Sequence, residues 1–97
     1  MIAYKKNNTP ILIKKMAFCG SLESSDVLVT IEPNTEKKIN IFIKSPFIRQ
    51  FGKRIKKVAL ETLDNFNIEQ CNLIIQDQGA IDAVLVARLI TAFNRAS

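Results

Sequence analysis

Residues 26–44, DVLVTIEPNTEKKINIFIK, contain two segments in which apolar and more polar side chains alternate. A period of two in β-branched residues is typical of half-buried strands, so we expect strands over residues 26–32 and 38–44. The side chains expected to share the buried face are Val27, Val29, Ile31, Ile39, Ile41 and Ile43. Residues 33–37, PNTEK, are rich in turn formers and predict that the two strands pair as an antiparallel hairpin.

The remainder of the chain predicts two helices separated by a third strand. Ser45 and Pro46 are typical of a helix start, and apolar residues then recur every three or four positions as far as Phe66. Residues 71–75, CNLII, predict a strand parallel to the second one, because a strand, a helix and a strand form a right-handed crossover. Residues 80–95 predict a second helix that is apolar almost all round. Such a helix either contacts a partner or is central to its own domain.

These elements predict an α+β fold in the order ββαβα, with a three- to four-stranded mixed sheet and two helices packed on one face. Ninety-seven residues suffice for one domain. We expect that domain to span residues 16–97, after a flexible or loosely docked N-terminal arm over residues 1–15. Residues 11–18 of this region could add an edge strand.

The composition restricts the chemistry that the chain can perform. Histidine is absent, and Cys19 and Cys71 fit no CxxC pattern, so we expect no metal site and no catalytic residue. No apolar run approaches the roughly 20 residues that cross a membrane, so we expect a cytoplasmic protein. The net charge of +5 is compatible with nucleic-acid binding, but no aromatic stacking platform accompanies it, which argues against a nucleic-acid partner.

Small polar residues crowd together in residues 20–26, GSLESSD, directly before the first predicted strand. Gly20 permits a positive φ, and Ser and Asp side chains bond nearby backbone amides, so this segment predicts an exposed turn. A serine without an adjacent base is a poor nucleophile, but a separate transferase can attach a group to an exposed hydroxyl.

Residues 20–27 resemble the Gly-Thr-Leu-Glu-Ser-Gly-Asp-Val segment of the acyl carrier (gamma) subunit of citrate lyase. The similarity continues downstream at residues 50–52, 77, 79–82, 87–89 and 95–97. In that family the serine after Leu-Glu carries phosphoribosyl-dephospho-coenzyme A through a phosphodiester, and Ser24 is the matching residue. Ser25 stands where the family has glycine.

The resemblance implies a non-catalytic carrier that presents acetyl and citryl thioesters to partner alpha and beta subunits. The alpha subunit would exchange citrate for acetate, and the beta subunit would release oxaloacetate. Glu23 and Asp26 are candidate recognition residues for the transferase that attaches the group. Arg88 matches an arginine of the family and is a candidate partner contact.

Three alternatives and one surface remain open at this point. The carrier subunit of malonate decarboxylase bears the same kind of group, a small basic nucleic-acid-binding module fits the charge, and an unmodified interaction module fits the fold. Ser21 and Ser25 are rival attachment residues. Arg49, Lys53 and Lys57 are expected on one helix face, which is either simply solvated or contacts phosphates or an acidic partner.

Overall fold

A computed structural model of the chain describes residues 9–97. Four strands form one mixed sheet in the order β1-β2-β4-β3, and two helices lie against it. The elements are β1 (Ala17–Gly20), β2 (Val27–Glu32), β3 (Ile39–Lys44), α1 (Ile48–Asn65), β4 (Cys71–Asp77) and α2 (Asp82–Ala96). This arrangement confirms the predicted α+β class and the mixed sheet. The edge strand considered for residues 11–18 lies at Ala17–Gly20 instead, which makes the order βββαβα.

The predicted hairpin between β2 and β3 is wrong, because β4 lies between these two strands. β4 pairs antiparallel with β2 and parallel with β3, so β2 and β3 never exchange hydrogen bonds with each other. The connection 33–38 therefore crosses the width of β4, about 10 Å from β2 to β3. Asn34 and Asn72 hold it there: the Asn34 Nδ2 donates both to the Lys38 carbonyl at 3.0 Å and to Asn72 Oδ1 at 3.1 Å. The predicted parallel pairing of β3 with β4 across helix α1 is correct.

The hydrophobic core lies between the helices and one face of the sheet. Val29 of β2 faces Ile75 of β4, and Ile31 faces Leu73, and all four side chains are fully buried. On the same face, Ile41 and Ile43 of β3 are partly buried against this core. These alternating positions are the ones that the sequence pattern predicts. The opposite face of the sheet is more open, and Phe18 and Phe42 are exposed on it.

Helix α1 begins later than the sequence predicts. Ser45 does not cap the helix; its hydroxyl donates to Asp77 Oδ2 at 2.8 Å and accepts from the Phe47 N–H at 3.0 Å. These two bonds fix the β3–α1 connection to the end of β4, so the helical hydrogen bonds begin with Phe47 as the N-cap residue.

Helix α2 contacts β1, β2 and α1. Its buried positions include Leu85, Leu89 and Phe93, and the Phe93 ring meets the Phe66 ring edge to face at 5.8 Å. These contacts account for one side of the apolar surface of α2, while Val86 and Ile90 on the rest of the helix are only half-buried. In the part of the chain that the structure describes, no helix is long and apolar enough to cross a membrane.

The first residues that the structure describes lie against the domain. Ile13 is buried, and the Ile11 N–H donates to the Asn67 carbonyl at 3.0 Å. The Lys14 N–H donates to the Ala96 carbonyl at 2.8 Å, which joins this segment to the end of α2. Residues 11–15 of the predicted arm are therefore docked, and residues 1–8 lie outside the described residues.

Candidate functional site

The serine-rich segment forms the loop between β1 and β2, which are paired as an antiparallel hairpin. Gly20 begins this loop with a φ of +104°, a conformation that other residues rarely adopt. A Cβ atom at this position would overlap the Val27 carbonyl oxygen and would also crowd the Arg88 side chain. The loop can therefore leave β1 at this angle only because residue 20 is glycine.

A four-residue turn over residues 23–26 forms the tip of the loop. The Asp26 N–H donates to the Glu23 carbonyl at 3.1 Å, and the two central residues are Ser24 and Ser25. Ser25 has a φ of +68°, so the turn has the type II pattern, in which glycine is preferred at the third position. Both central serines are exposed, and the Ser24 hydroxyl makes no hydrogen bond with any of residues 9–97.

Arg88 of α2 fastens the base of the loop through Asp26. The Arg88 Nε donates to Asp26 Oδ1 at 3.0 Å, and Nη2 donates to Oδ2 at 3.2 Å. The Ser21 hydroxyl and the Val27 N–H each add a bond to the same carboxylate at 2.7 Å. Arg88 first, and then Ser21 and Val27, lower the pKa of Asp26 to about 2, so this carboxylate is ionised at neutral pH.

Backbone bonds join the loop to the β4–α2 connection. The Ser25 N–H donates to the Gln78 carbonyl at 2.8 Å, and the Gln78 N–H donates to the Asp26 carbonyl at 2.9 Å. The Asp77 carboxylate organises this connection in turn, since Oδ1 accepts from the N–H groups of Gly79 and Ala80 at 3.1 and 3.0 Å. The exposed tip is thus presented from a base that is bonded on two sides.

The three serines of the loop differ in what their hydroxyls do. The Ser21 hydroxyl donates to Asp26 and accepts from the Glu23 N–H at 3.2 Å, so its oxygen is occupied inside the loop. Ser24 and Ser25 both project from the tip, but only Ser25 has the left-handed backbone conformation. A group joined to Ser24 would displace no internal hydrogen bond, whereas one joined to Ser21 would break two.

The other residues singled out from the sequence fall into two groups. Asp26 and Arg88, which were predicted to contact an enzyme and a partner, lie together and bind each other. Arg49, Lys53 and Lys57 are exposed on α1, and Glu23 is exposed beside Ser24. No short sequence pattern signals the Asp26–Arg88 pair, because 62 residues separate its members. The Arg54–Asp82 pair, with Nη2 2.9 Å from Oδ2, likewise has no short sequence pattern, because 28 residues separate its members.

The thiols of Cys19 and Cys71 are both free and buried. Burial raises the pKa of Cys71 to about 11, which keeps that thiol protonated at neutral pH. Within residues 9–97, no cluster of three or more acidic or cysteine side chains has the arrangement of a metal site.

Comparisons with known proteins place the whole described domain in one group. The sequence profile described as "ACP: Malonate decarboxylase delta subunit (MdcD)" matches residues 14–96. The chain is 42% identical to the citrate lyase acyl carrier protein of Treponema denticola over 85 residues, which are 88% of this chain and 95% of that protein. It is 45% identical to the citrate lyase acyl carrier protein of Clostridium perfringens over 85 residues, 88% of this chain and 84% of the relative.

A solved structure has the same fold. A chain in the crystal structure of a Pseudomonas malonate decarboxylase hetero-tetramer in complex with malonate superposes with a TM-score of 0.77 at 22% identity, covering 92% of this chain and 93% of that one. At this identity the likeness concerns the architecture alone.

Proposed function

This chain belongs to the family of the citrate lyase acyl carrier proteins, and we propose that its Ser24 is the residue that carries the prosthetic group. The observation that carries the proposal is the position of the Ser24 hydroxyl. It lies exposed at the tip of a turn whose base is fixed by the Asp26–Arg88 pair and by two backbone bonds to Gln78.

The residues around Ser24 fit a phosphodiester-linked group in several respects. The hydroxyl has no partner among the described residues that modification would remove, and the exposed tip leaves room for a transferase. No side chain of residues 9–97 makes a hydrogen bond to Ser24 that would activate it, which agrees with attachment by a separate enzyme. We assign Glu23, exposed next to Ser24, to recognition by that transferase, and Asp26 to holding the turn in the recognised shape.

The group that we assign to Ser24 is phosphoribosyl-dephospho-coenzyme A, whose thiol would hold an acyl group as a thioester. The chain itself would then position and present this group, without a catalytic residue of its own. A flexible tether keeps the acyl group at a high local concentration near successive active sites. We propose the alpha and beta subunits of citrate lyase as the partners that act on it, and a cytoplasmic location stays a prediction.

The exposed cations of α1 are the surface that we assign to partner or phosphate contacts. Arg49, Lys53 and Lys57 lie in a helix that has no acidic residue in its first turn. Of these three side chains, only Arg49 lies in the first turn, where a positive charge opposes the helix dipole; Lys53 and Lys57 lie further along the helix. We propose that these three cations attract an anionic partner surface or a phosphate group.

Reconstitution tests this function. The chain, modified by its transferase, is combined with citrate lyase alpha and beta subunits, and oxaloacetate release from citrate is measured. We expect full activity with Ser25→Ala and none with Ser24→Ala, whereas equal activity of both variants would refute the assignment of Ser24.

A carrier for malonate decarboxylase is the second candidate, favoured by the family profile and by the fold of the Pseudomonas structure. The identities of 42 and 45% to citrate lyase carriers favour citrate lyase. The substrate that the acetylated chain turns over in its own complex distinguishes the two, since citrate is expected for citrate lyase and malonate for malonate decarboxylase.

A further inference from the structure

A cleft opens between the first turns of α1 and α2, at the same edge of the sheet as the Ser24 loop. Its volume is about 200 Å³, and Phe51, Arg54, Gly79, Ile81 and Asp82 are among the residues that line it. Pockets for complete drug-sized ligands measure about 300–1,000 Å³. This cleft is therefore of a size for one ring system and not for a long cofactor.

The cleft is directly connected to the Ser24 loop. Ser25 donates its N–H to the carbonyl of Gln78, and the next residue, Gly79, is part of the cleft wall. The two features are thus separated by one backbone hydrogen bond and one residue. A group joined to Ser24 is therefore attached to the loop that borders the cleft.

The mouth of the cleft exposes apolar surface that the fold does not use. Phe51 is 45% exposed, Ile81 is 69% exposed, and Phe47 packs edge to face against Phe51 with ring centroids 6.3 Å apart. Because Phe51 lines the cleft and is partly exposed, its ring is available for stacking with a planar ligand ring. Exposed apolar clusters of this kind mark binding sites more often than chance positions.

Polar groups on the rim complement a nucleotide. The Arg54 Nε and Nη2 both donate to Asp82 Oδ2, at 3.1 and 2.9 Å. Within residues 9–97, the other oxygen of Asp82 is left open to a donor such as an exocyclic amine. The remaining guanidinium nitrogen of Arg54 is available for a phosphate oxygen. The rim therefore combines an acceptor, a cation and an aromatic ring around one small cavity.

We propose that this cleft binds the adenine ring of the group carried on Ser24, with the ring stacked on Phe51 and a phosphate beside Arg54. The proposal rests on the function proposed above, because that group contains adenosine. Docking of the adenosine would leave the thiol end of the group free to reach partner subunits. It would also shorten the freely moving part of the tether.

The test uses the unmodified full chain and adenosine 5'-diphosphate as the probe, followed by ¹⁵N NMR. We expect saturable shifts of the backbone amides of Gly79, Ala80 and Asp82, with millimolar affinity, which suffices for a tethered group. Phe51→Ala should weaken binding about tenfold, the effect of removing one base-stacking ring. Leu60→Ala is the matched control, because Leu60 is 42% exposed on the same helix, and it should leave the affinity unchanged.

Three results would each overturn the proposal. They are the absence of saturable shifts, shifts confined to Arg49 and Lys53, and equal affinity in Phe51→Ala and Leu60→Ala.

A second readout uses the chain after modification by its transferase. The cleft amides should then shift without added nucleotide, and they should shift less in Phe51→Ala at an unchanged modified mass. If the mass shows no modification of Ser24 while the diphosphate still binds, the proposed function fails and the cleft remains a nucleotide site. If the mass shows modification and the cleft does not respond, the cleft proposal alone fails.

Discussion

Replacing Ser25 by glycine should stabilise the protein, although Ser25 lies in an exposed loop. Its φ of +68° places a Cβ-bearing residue in the left-handed region, at a turn position that prefers glycine. That conformation costs a non-glycine residue about 1–2 kcal/mol. Glycine also lowers the stability of the fold by about 0.4–1 kcal/mol, because it increases the conformational entropy of the unfolded chain. The net gain for Ser25→Gly is therefore about 0–1.6 kcal/mol, with a central value of about 0.8 kcal/mol.

Ser24→Gly is the matched control, because Ser24 is the other central residue of the same turn and has no positive φ. Only the unfolded-state term applies there, so this variant should lose about 0.4–1 kcal/mol. Urea denaturation followed by circular dichroism measures both changes. For a domain near this size, 1 kcal/mol shifts the melting temperature by about 4–8 °C. Equal losses in the two variants would show that Ser25 is not strained and that the tip is not a type II turn.

Three further predictions concern the base of the loop and the core. Because the folded pKa of Asp26 is about 2, below its ordinary value of 3.8, its ion pair should stabilise the fold above about pH 4 and cease to do so as the pH falls through 2. Urea midpoints of the wild type should fall more steeply over this range than those of Asp26→Asn, and parallel curves would contradict the pairing with Arg88. Gly20→Ala should destabilise the fold by several kcal/mol more than Gly79→Ala. A Cβ atom at Gly20 would overlap a backbone carbonyl, whereas one at Gly79 would contact the Phe47 ring at 3.4 Å. Equal free energies of unfolding for the two variants would refute this prediction. Cys71, fully buried and with a raised pKa, should react with iodoacetamide at pH 8 only after unfolding, and labelling of the native protein at the rate of a free thiol would contradict its burial.

The local elements could be predicted from the sequence because each depends on a short pattern. The alternation of Val27, Val29 and Ile31 predicts both the strand and its buried face, and the structure confirms both. The strand order could not be read in this way. Residues 33–38 can either turn back tightly or cross over a third strand. The outcome depends on the burial of β4 in the centre of the sheet and on the Asn34–Asn72 hydrogen bond, and the residue pattern of a single strand shows neither.

The site was predictable only in part, for a similar reason. The resemblance identifies Ser24, and small polar residues predict an exposed turn. Long-range contacts decide the rest: Asp26 reads as a surface carboxylate in the sequence, but Arg88, 62 residues later, holds it at the base of the loop. The cleft beside Phe51 likewise needs two helix ends that meet only in the folded chain.

Peptide mapping by mass spectrometry tests the central claim most directly. The chain is produced together with its modifying enzymes, and the added mass is located in the wild type, Ser24→Ala and Ser25→Ala. We predict that the mass lies on Ser24 in the wild type, is retained in Ser25→Ala and is absent in Ser24→Ala. An added mass on Ser21 or Ser25, or its retention in Ser24→Ala, would contradict the assignment.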